Sequence, residues 1–323
     1  MAEIISMGEA LVEIMREKVG AGLDSPEVFI GPYPSGAPAI FADCAARLGG
    51  EVAYIGTVGK DDFGRVISER LEVDGVDTRH LLVSEVATTG VAFVAYFEDG
   101  SRKFIYHIKD AASGIIEPDR ISPSIFSEGG FLHINGSALS VNTSWQETIY
   151  QSIKAAHNKG MKVSFDPNLR PEILGAEKVR ELCQPVLDRV YIVFPSGEEA
   201  TMLTGEDNSE KAVQVLLSRS AEIVVLKRGV QGCSIYTAEE RVDVPAFQVE
   251  EVDPTGAGDC FDAAFLVGCL RGLKLRECGR FANAVGALAV TKRGPMEGAP
   301  FLDRALELAK LPAEEQKLLR MNR

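Results

Sequence analysis

Residues 252–270, VDPTGAGDCFDAAFLVGCL, decide how this chain is read. The stretch predicts a strand end, a glycine-rich turn and then a helix. Gly256 and Gly258 bracket Ala257, and Asp259 follows at once. Residues 263–270 carry no charge, which suits a buried helix. A helix N-terminus leaves backbone N–H groups unpaired and carries about half a positive charge. Glycines there let an anion approach those groups closely. Asp259 admits two readings. It is a first-turn carboxylate complementing the dipole, with Thr255 as the cap. Or it is a general base beside a phosphate cradle, as transfer of a phosphoryl group to a hydroxyl requires. An ordinary cap needs neither glycine, so the first reading leaves both unexplained.

Outward from this turn, the chain alternates strand and helix patterns. Strands are expected at 3–7, 52–58, 131–135, 162–166, 190–194 and 223–226, with a hairpin of 233–236 and 241–244. Helices are expected at 39–48, 61–72, 142–159, 176–187, 198–203, 210–217, 257–270 and 276–290, and a polar one at 303–320. Trp145, Ile149, Ile153 and Ala156 fall about four apart, the period of one helix face. Such alternation predicts an α/β fold, a mostly parallel doubly wound sheet covered on both faces. Residues 91–106 differ: two strand-like runs flank Asp99-Gly100 with no helix between them. They predict a small β lid, about 10–34 and 88–110; an edge hairpin of the main sheet is the alternative. Residues 1–323 are expected to form one domain, without repeats or low-complexity linkers.

A net charge of −13 argues against a nucleic-acid or anionic-membrane surface. Six cysteines without a C-x-x-C pair argue against a zinc site and suit a reducing compartment. No basic-then-apolar leader opens the chain, and no apolar run approaches the ~18 residues of a membrane span. A cytoplasmic location is expected.

In open α/β sheets, ligands bind beyond the carboxyl ends of the strands. Glu9, Asp166, Ser196, Glu199, Lys227 and Gly229 follow such ends. A single polar residue there is usually a turn former, but here polar residues recur at successive strand ends.

The run DPTGAGDCF resembles the C-terminal signature of the ribokinase-like (PfkB) carbohydrate kinases. PSGAPAIFA at 34–42, with ARLG at 46–49 and GTVGKDDFG at 56–64, is similar to that family's N-terminal sugar signature. Two departures stand out: Ser35 replaces a glycine and Ile40 a frequent asparagine. DPNLR at 166–170 resembles a segment of the fructokinase-like and 2-keto-3-deoxygluconate-kinase-like members. The resemblance implies Asp259 as base and Gly256, Ala257 and Gly258 as anion hole. It implies sugar contacts from Glu9, Glu13, Ser35, Gly36, Tyr106 and Arg170. It implies nucleotide contacts from Ser196, Lys227, Gly229, Gly232, Thr255, Gly256, Gly258 and Asn283. Glu199 would manage Mg²⁺ through water, and Asp253 and Thr255 would ligate a monovalent cation, K⁺, as in some members. For Glu13 a solvated charge on an outer strand is the alternative; for Arg170, a surface ion pair; for Glu199, a first-turn helix acid.

The resemblance thus implies ATP-dependent phosphorylation of a primary sugar hydroxyl, with sugar and ATP as partners and a homodimer through the β lid. Ile108 stands where some keto-acid kinases have an arginine, so a fructose-like ketohexose is favoured. A 2-keto-3-deoxygluconate kinase and a ribose or nucleoside kinase are the alternatives. A binding regulator that lost activity is the non-enzyme rival, opposed by the intact Asp259 and its glycines. No G-x-G-x-x-G follows an expected strand and no G-x-x-x-x-G-K-[ST] occurs, against Rossmann oxidoreductases and P-loop kinases.

Overall fold

The computed structural model describes residues 2–168 and 175–321. Strands β1 (Ile4–Met7), β4 (Val52–Gly59), β5 (Asp77–Ser84), β8 (Phe131–Asn135), β9 (Lys162–Asp166), β10 (Ile192–Val193) and β11 (Ile223–Lys227) form a parallel array. An antiparallel hairpin, β12 (Cys233–Tyr236) and β13 (Arg241–Val244), extends it at the β11 edge. The order is β13-β12-β11-β10-β9-β8-β1-β4-β5. Every residue of β4 and β8 is buried, as strands covered on both faces must be. Trp145, Ile149 and Ile153 pack on one face, whereas Phe41, Phe265 and Phe281 pack on the other.

A separate four-stranded sheet runs β3 (Phe29–Ser35), β2 (Leu11–Arg16), β6 (Gly90–Tyr96), β7 (Arg102–His107). The expected 91–106 hairpin is therefore in the small sheet and not at an edge of the large one. Its strand period of two puts Arg102, Phe104 and Tyr106 on one face.

Two expectations were wrong, and one strand was missed. No strand precedes the glycine turn: residues 245–256 are irregular, and the Val252 and Asp253 amides both donate to the Val290 carbonyl. The closing helix is two, Leu302–Ala309 and Ala313–Arg320, because Lys310 turns left-handed (φ 48°) and Pro312 cannot continue the first. The edge strand β5 had no expectation attached, since DTRHLLVS is half-exposed and mixes polar with apolar residues.

A buried ion network ties two helices to the loop after residue 293. Arg70 Nε lies 3.0 Å from Asp43 and 2.6 Å from Asp74, and Arg47 lies 2.9 Å from Asp74. Arg70 also donates to the Met296 carbonyl (2.6 Å), and Arg47 to that of Ala299 (2.6 Å). Burial pushes the Asp43 carboxyl up to about 7, against the pull of Arg70. Folded Asp43 thus keeps a proton that the unfolded chain loses near pH 4. Its contribution favours folding below that pH and is lost as pH rises through about 7. Urea unfolding at pH 5 and pH 8 checks this: Asp43→Asn should lose less stability over that interval than the parent chain. An equal loss would contradict the assignment.

Candidate active site

The turn preceding helix Ala257–Leu270 is built by Gly256. Its φ of +79° is left-handed, and a Cβ there would lie 2.4 Å from the Pro295 carbonyl oxygen. No side chain caps this helix. Thr255, the expected cap, instead bonds the Tyr96 hydroxyl (2.8 Å) and accepts from Arg102 Nη1 (3.4 Å). Asp259 follows in the first turn, 7% exposed, and Asn135 Nδ2 donates to its Oδ1 (3.2 Å). Asn135 ends β8 and was not foreseen; its position at a strand end was the available signal.

Two cavities meet at this turn. The first, about 240 Å³, is lined by Glu9, Glu13, Ser35, Gly36, Tyr106, Asp166, Glu199, Thr255, Gly256 and Asp259, among others. The second, about 330 Å³, is lined by Gly229, Gly232, Phe247, Val249, Ala257, Phe261, Asn283 and Val290, among others. Lys227, Pro254 and Gly258 line both.

The first cavity is strongly acidic. Glu13 is 5% exposed and accepts from Ser35 Oγ (2.6 Å), so it is not a solvated outer charge. Gly36 is needed because a Cβ there would lie 2.3 Å from the Glu9 carbonyl oxygen. Lys227 Nζ sits 3.1 Å from Asp166 and 3.2 Å from Asp262. Burial works to discharge this ammonium, but the two carboxylates outweigh it and raise its pKa. Nearby His133 is fully buried, stacked on Phe41 and bonded to Ser164 Oγ. Burial pushes its pKa down to about 3, so it is a neutral core group.

Ser196 and Thr255, expected nucleotide contacts, lie outside the second cavity. Ser196 lines neither cavity. It caps helix Gly197–Thr204, its hydroxyl accepting from Glu199 N while Glu199 Oε2 accepts from Ser196 N. Thr255 faces the first cavity rather than the second. Asn283 lines the second, and its amide donates to the Val244 and Pro245 carbonyls. Gly232 allows close approach, since a Cβ there would lie 2.1 Å from the Val244 carbonyl oxygen. Asp253 is 2% exposed and its carboxylate accepts from the Tyr96 hydroxyl, Thr255 N and Gly294 N. Arg170 lies outside the described residues. Among those described, no cluster of three His, Cys, Asp or Glu side chains is arranged to cage a metal.

The model of the pfkB family carbohydrate kinases matches residues 1–302. The chain belongs to this family. Among curated relatives, this carbohydrate kinase is 32% identical to Fructokinase-1 of Zea mays, covering 94% of this chain and 97% of that one. It is 32% identical to Fructokinase-1 of Oryza sativa subsp. japonica, covering 95% and 97%. Among solved structures, it is 40% identical to an E. coli protein provisionally named Ribokinase II, in complex with ATP and Mg²⁺. There the TM-score is 0.91, with 96% and 99% covered. The fructokinase of Vibrio cholerae O395, with fructose, ADP and calcium bound, is 27% identical. Its TM-score is 0.83, again with 96% and 99% covered.

Gly256→Ala in this kinase combines a disfavoured φ with the Pro295 clash, together costing about 1–3 kcal/mol. Chemical unfolding should show that loss and phosphoryl transfer should fall more than tenfold. An unchanged unfolding midpoint and rate would mean that the turn has no such constraint.

Proposed function

We propose that this chain transfers the γ-phosphoryl group of ATP to a primary hydroxyl of a ketohexose such as fructose. The observation that carries the reading is the meeting of two cavities at one turn, with Asp259 on the first side and the glycine backbone between. The first cavity takes the sugar. Glu9, Glu13, Asp166, Glu199 and Asp259 line it, against only Arg102 and Lys227 among described residues, and Lys227 is held by Asp166 and Asp262. That balance suits a neutral polyol better than a sugar acid, whose carboxylate would want unpaired cations. Ile108 in its wall points the same way. The fructokinase relatives favour fructose, and the name of the E. coli neighbour brings ribose into the same test.

The second cavity takes the nucleotide. Apolar walls from Phe247, Val249, Phe261 and Val290 fit a base, and the uncapped helix end fits phosphates. Bound Mg²⁺–ATP supplies the phosphoryl group and neutralises its charge. Magnesium is commonly held by one or two carboxylates and phosphates rather than a protein cage, and Glu199, acting through water, fits that pattern. A monovalent cation would use backbone oxygens of Asp253 and Thr255, because the Asp253 carboxylate already accepts three bonds.

Asp259 accepts the hydroxyl proton, a step worth ~10²–10⁴-fold. Asn135 fixes the orientation of its carboxylate. The N–H groups of Gly256, Ala257 and Gly258 would face the charge developing on the transferred group, with Ala257 giving up its long bond to the Pro254 carbonyl (3.4 Å). The small sheet acts as a lid that excludes water from the sugar side. Its outer face carries Phe29, Phe93 and Ile105, partly exposed, and we assign it to contact with a second copy of the chain. No helix among the described residues is long and apolar enough to cross a membrane, and the six thiols are unpaired, which fits a cytoplasmic protein. The net charge of −13 favours small-molecule partners over nucleic acid.

A coupled ADP-release screen over fructose, other ketoses, ribose, nucleosides and 2-keto-3-deoxygluconate tests the substrate. The expected best kcat/KM is for fructose; a clear preference for a sugar acid would overturn this reading. Asp259→Asn should keep ATP binding and lose at least about 10²-fold in kcat; near-normal kcat would remove it as base. Glu13→Ala should raise the sugar KM about tenfold with the ATP KM unchanged, as loss of a hydrogen bond to a charged group does. An unchanged sugar KM would take Glu13 out of the site.

A further inference from the structure

Asp253 joins three parts of the molecule that are far apart in sequence. Its Oδ1 accepts from the Tyr96 hydroxyl (2.9 Å) and from Thr255 N (3.0 Å); its Oδ2 accepts from Gly294 N (2.9 Å). The Tyr96 oxygen also lies 2.8 Å from Thr255 Oγ1, one residue before Gly256. Tyr96 belongs to the small sheet and the other groups to the turn and its backing loop. Burial and the neighbouring Asp253 both raise its pKa, so the hydroxyl remains a donor.

The register of the small sheet links Tyr96 to the sugar side. Tyr96 pairs with Arg102 on β7, whose guanidinium reaches the same Thr255 hydroxyl (3.4 Å). Further along β7, Phe104 and Tyr106 line the first cavity, and their rings stack 5.3 Å apart. On the other side of β6 lies β2, where Glu13 pairs with Ala92. The ladder hydrogen bonds make β2, β6 and β7 one stiff plate. A ligand touching Glu13 and Tyr106 therefore acts on the same plate that holds Thr255.

We infer that Tyr96 is a positioning residue that couples occupancy of the first cavity to the geometry of the anion-binding turn. Tyr96 lines neither cavity. A ligand that fixes the plate fixes Thr255 through Tyr96, and so sets the turn on which the phosphates rest. Linkage makes such coupling reciprocal: sugar tightens nucleotide binding by the same factor that nucleotide tightens sugar binding. The inference rests on the proposed assignment of the first cavity to a sugar.

Calorimetry with fructose, Mg²⁺ and a non-hydrolysable ATP analogue tests it on the parent chain and on Tyr96→Phe. Fructose is expected to tighten the analogue about tenfold in the parent, within the usual range of coupling between sites. In Tyr96→Phe each ligand alone should bind within about threefold of the parent, while the coupling factor falls to about one. Amide exchange gives a second readout: fructose should slow exchange at residues 255–259 in the parent and not in the variant. An equal coupling factor in both proteins, or none in the parent, would overturn the role of Tyr96 while leaving the sugar assignment standing. Failure of fructose to bind either protein would overturn the sugar assignment and this inference with it.

Discussion

A carboxylate buried in the first turn of an uncapped helix is the constraint on which the rest depends. Asp259 is nearly inaccessible, and the Asn135 amide donates to its Oδ1. The same helix end leaves its backbone N–H groups without a side-chain acceptor. One structural feature therefore carries both parts of the proposed site, the base and the anion cradle, on neighbouring residues. Only a residue tolerating φ +79° without a Cβ can place the two so close, which is why Gly256 presses against the Pro295 carbonyl.

The surrounding fold keeps that turn in place. Helix Ala257–Leu270 is buried along most of its length, with Ala263 to Val267 fully enclosed. On one side the loop at 294–299 backs the turn, held by Arg47 and Arg70 against a buried carboxylate network. Beneath it Lys227 bridges Asp166 and Asp262, bringing the ends of β9 and β11 to the first turns of the helix. Above it the small sheet contributes Tyr96 and Arg102. A carboxyl so deeply set needs fixed dipoles and hydrogen-bond partners around it, since burying a polar group without them costs several kcal/mol.

Much of this was legible from residues alone. The strand–helix alternation gave the parallel sheet, and the glycine pair beside Asp259 marked the tight turn that opens the helix. Asp99-Gly100 marked a hairpin without a crossover helix, hence a second sheet. The misses have physical reasons. In place of the expected strand, the Val252 and Asp253 amides both donate to the Val290 carbonyl, a long-range contact that composition does not reveal. Ser196 follows a strand and the resemblance implied a nucleotide contact, but a serine followed three residues later by glutamate is equally a capping box. Asn135 on Asp259, Lys227 between two aspartates and Tyr96 on Asp253 join residues 35 to 157 positions apart, and no local pattern encodes such contacts.

The central claim is one turn serving a phosphate on one side and a sugar hydroxyl on the other. A crystal structure with fructose, Mg²⁺ and a non-hydrolysable ATP analogue measures it most directly. The account predicts phosphate oxygens against the amides of residues 256–258 and a primary hydroxyl of the sugar within hydrogen-bonding distance of Asp259. Density for the triphosphate away from that turn, or Asp259 directed away from the sugar, would contradict it.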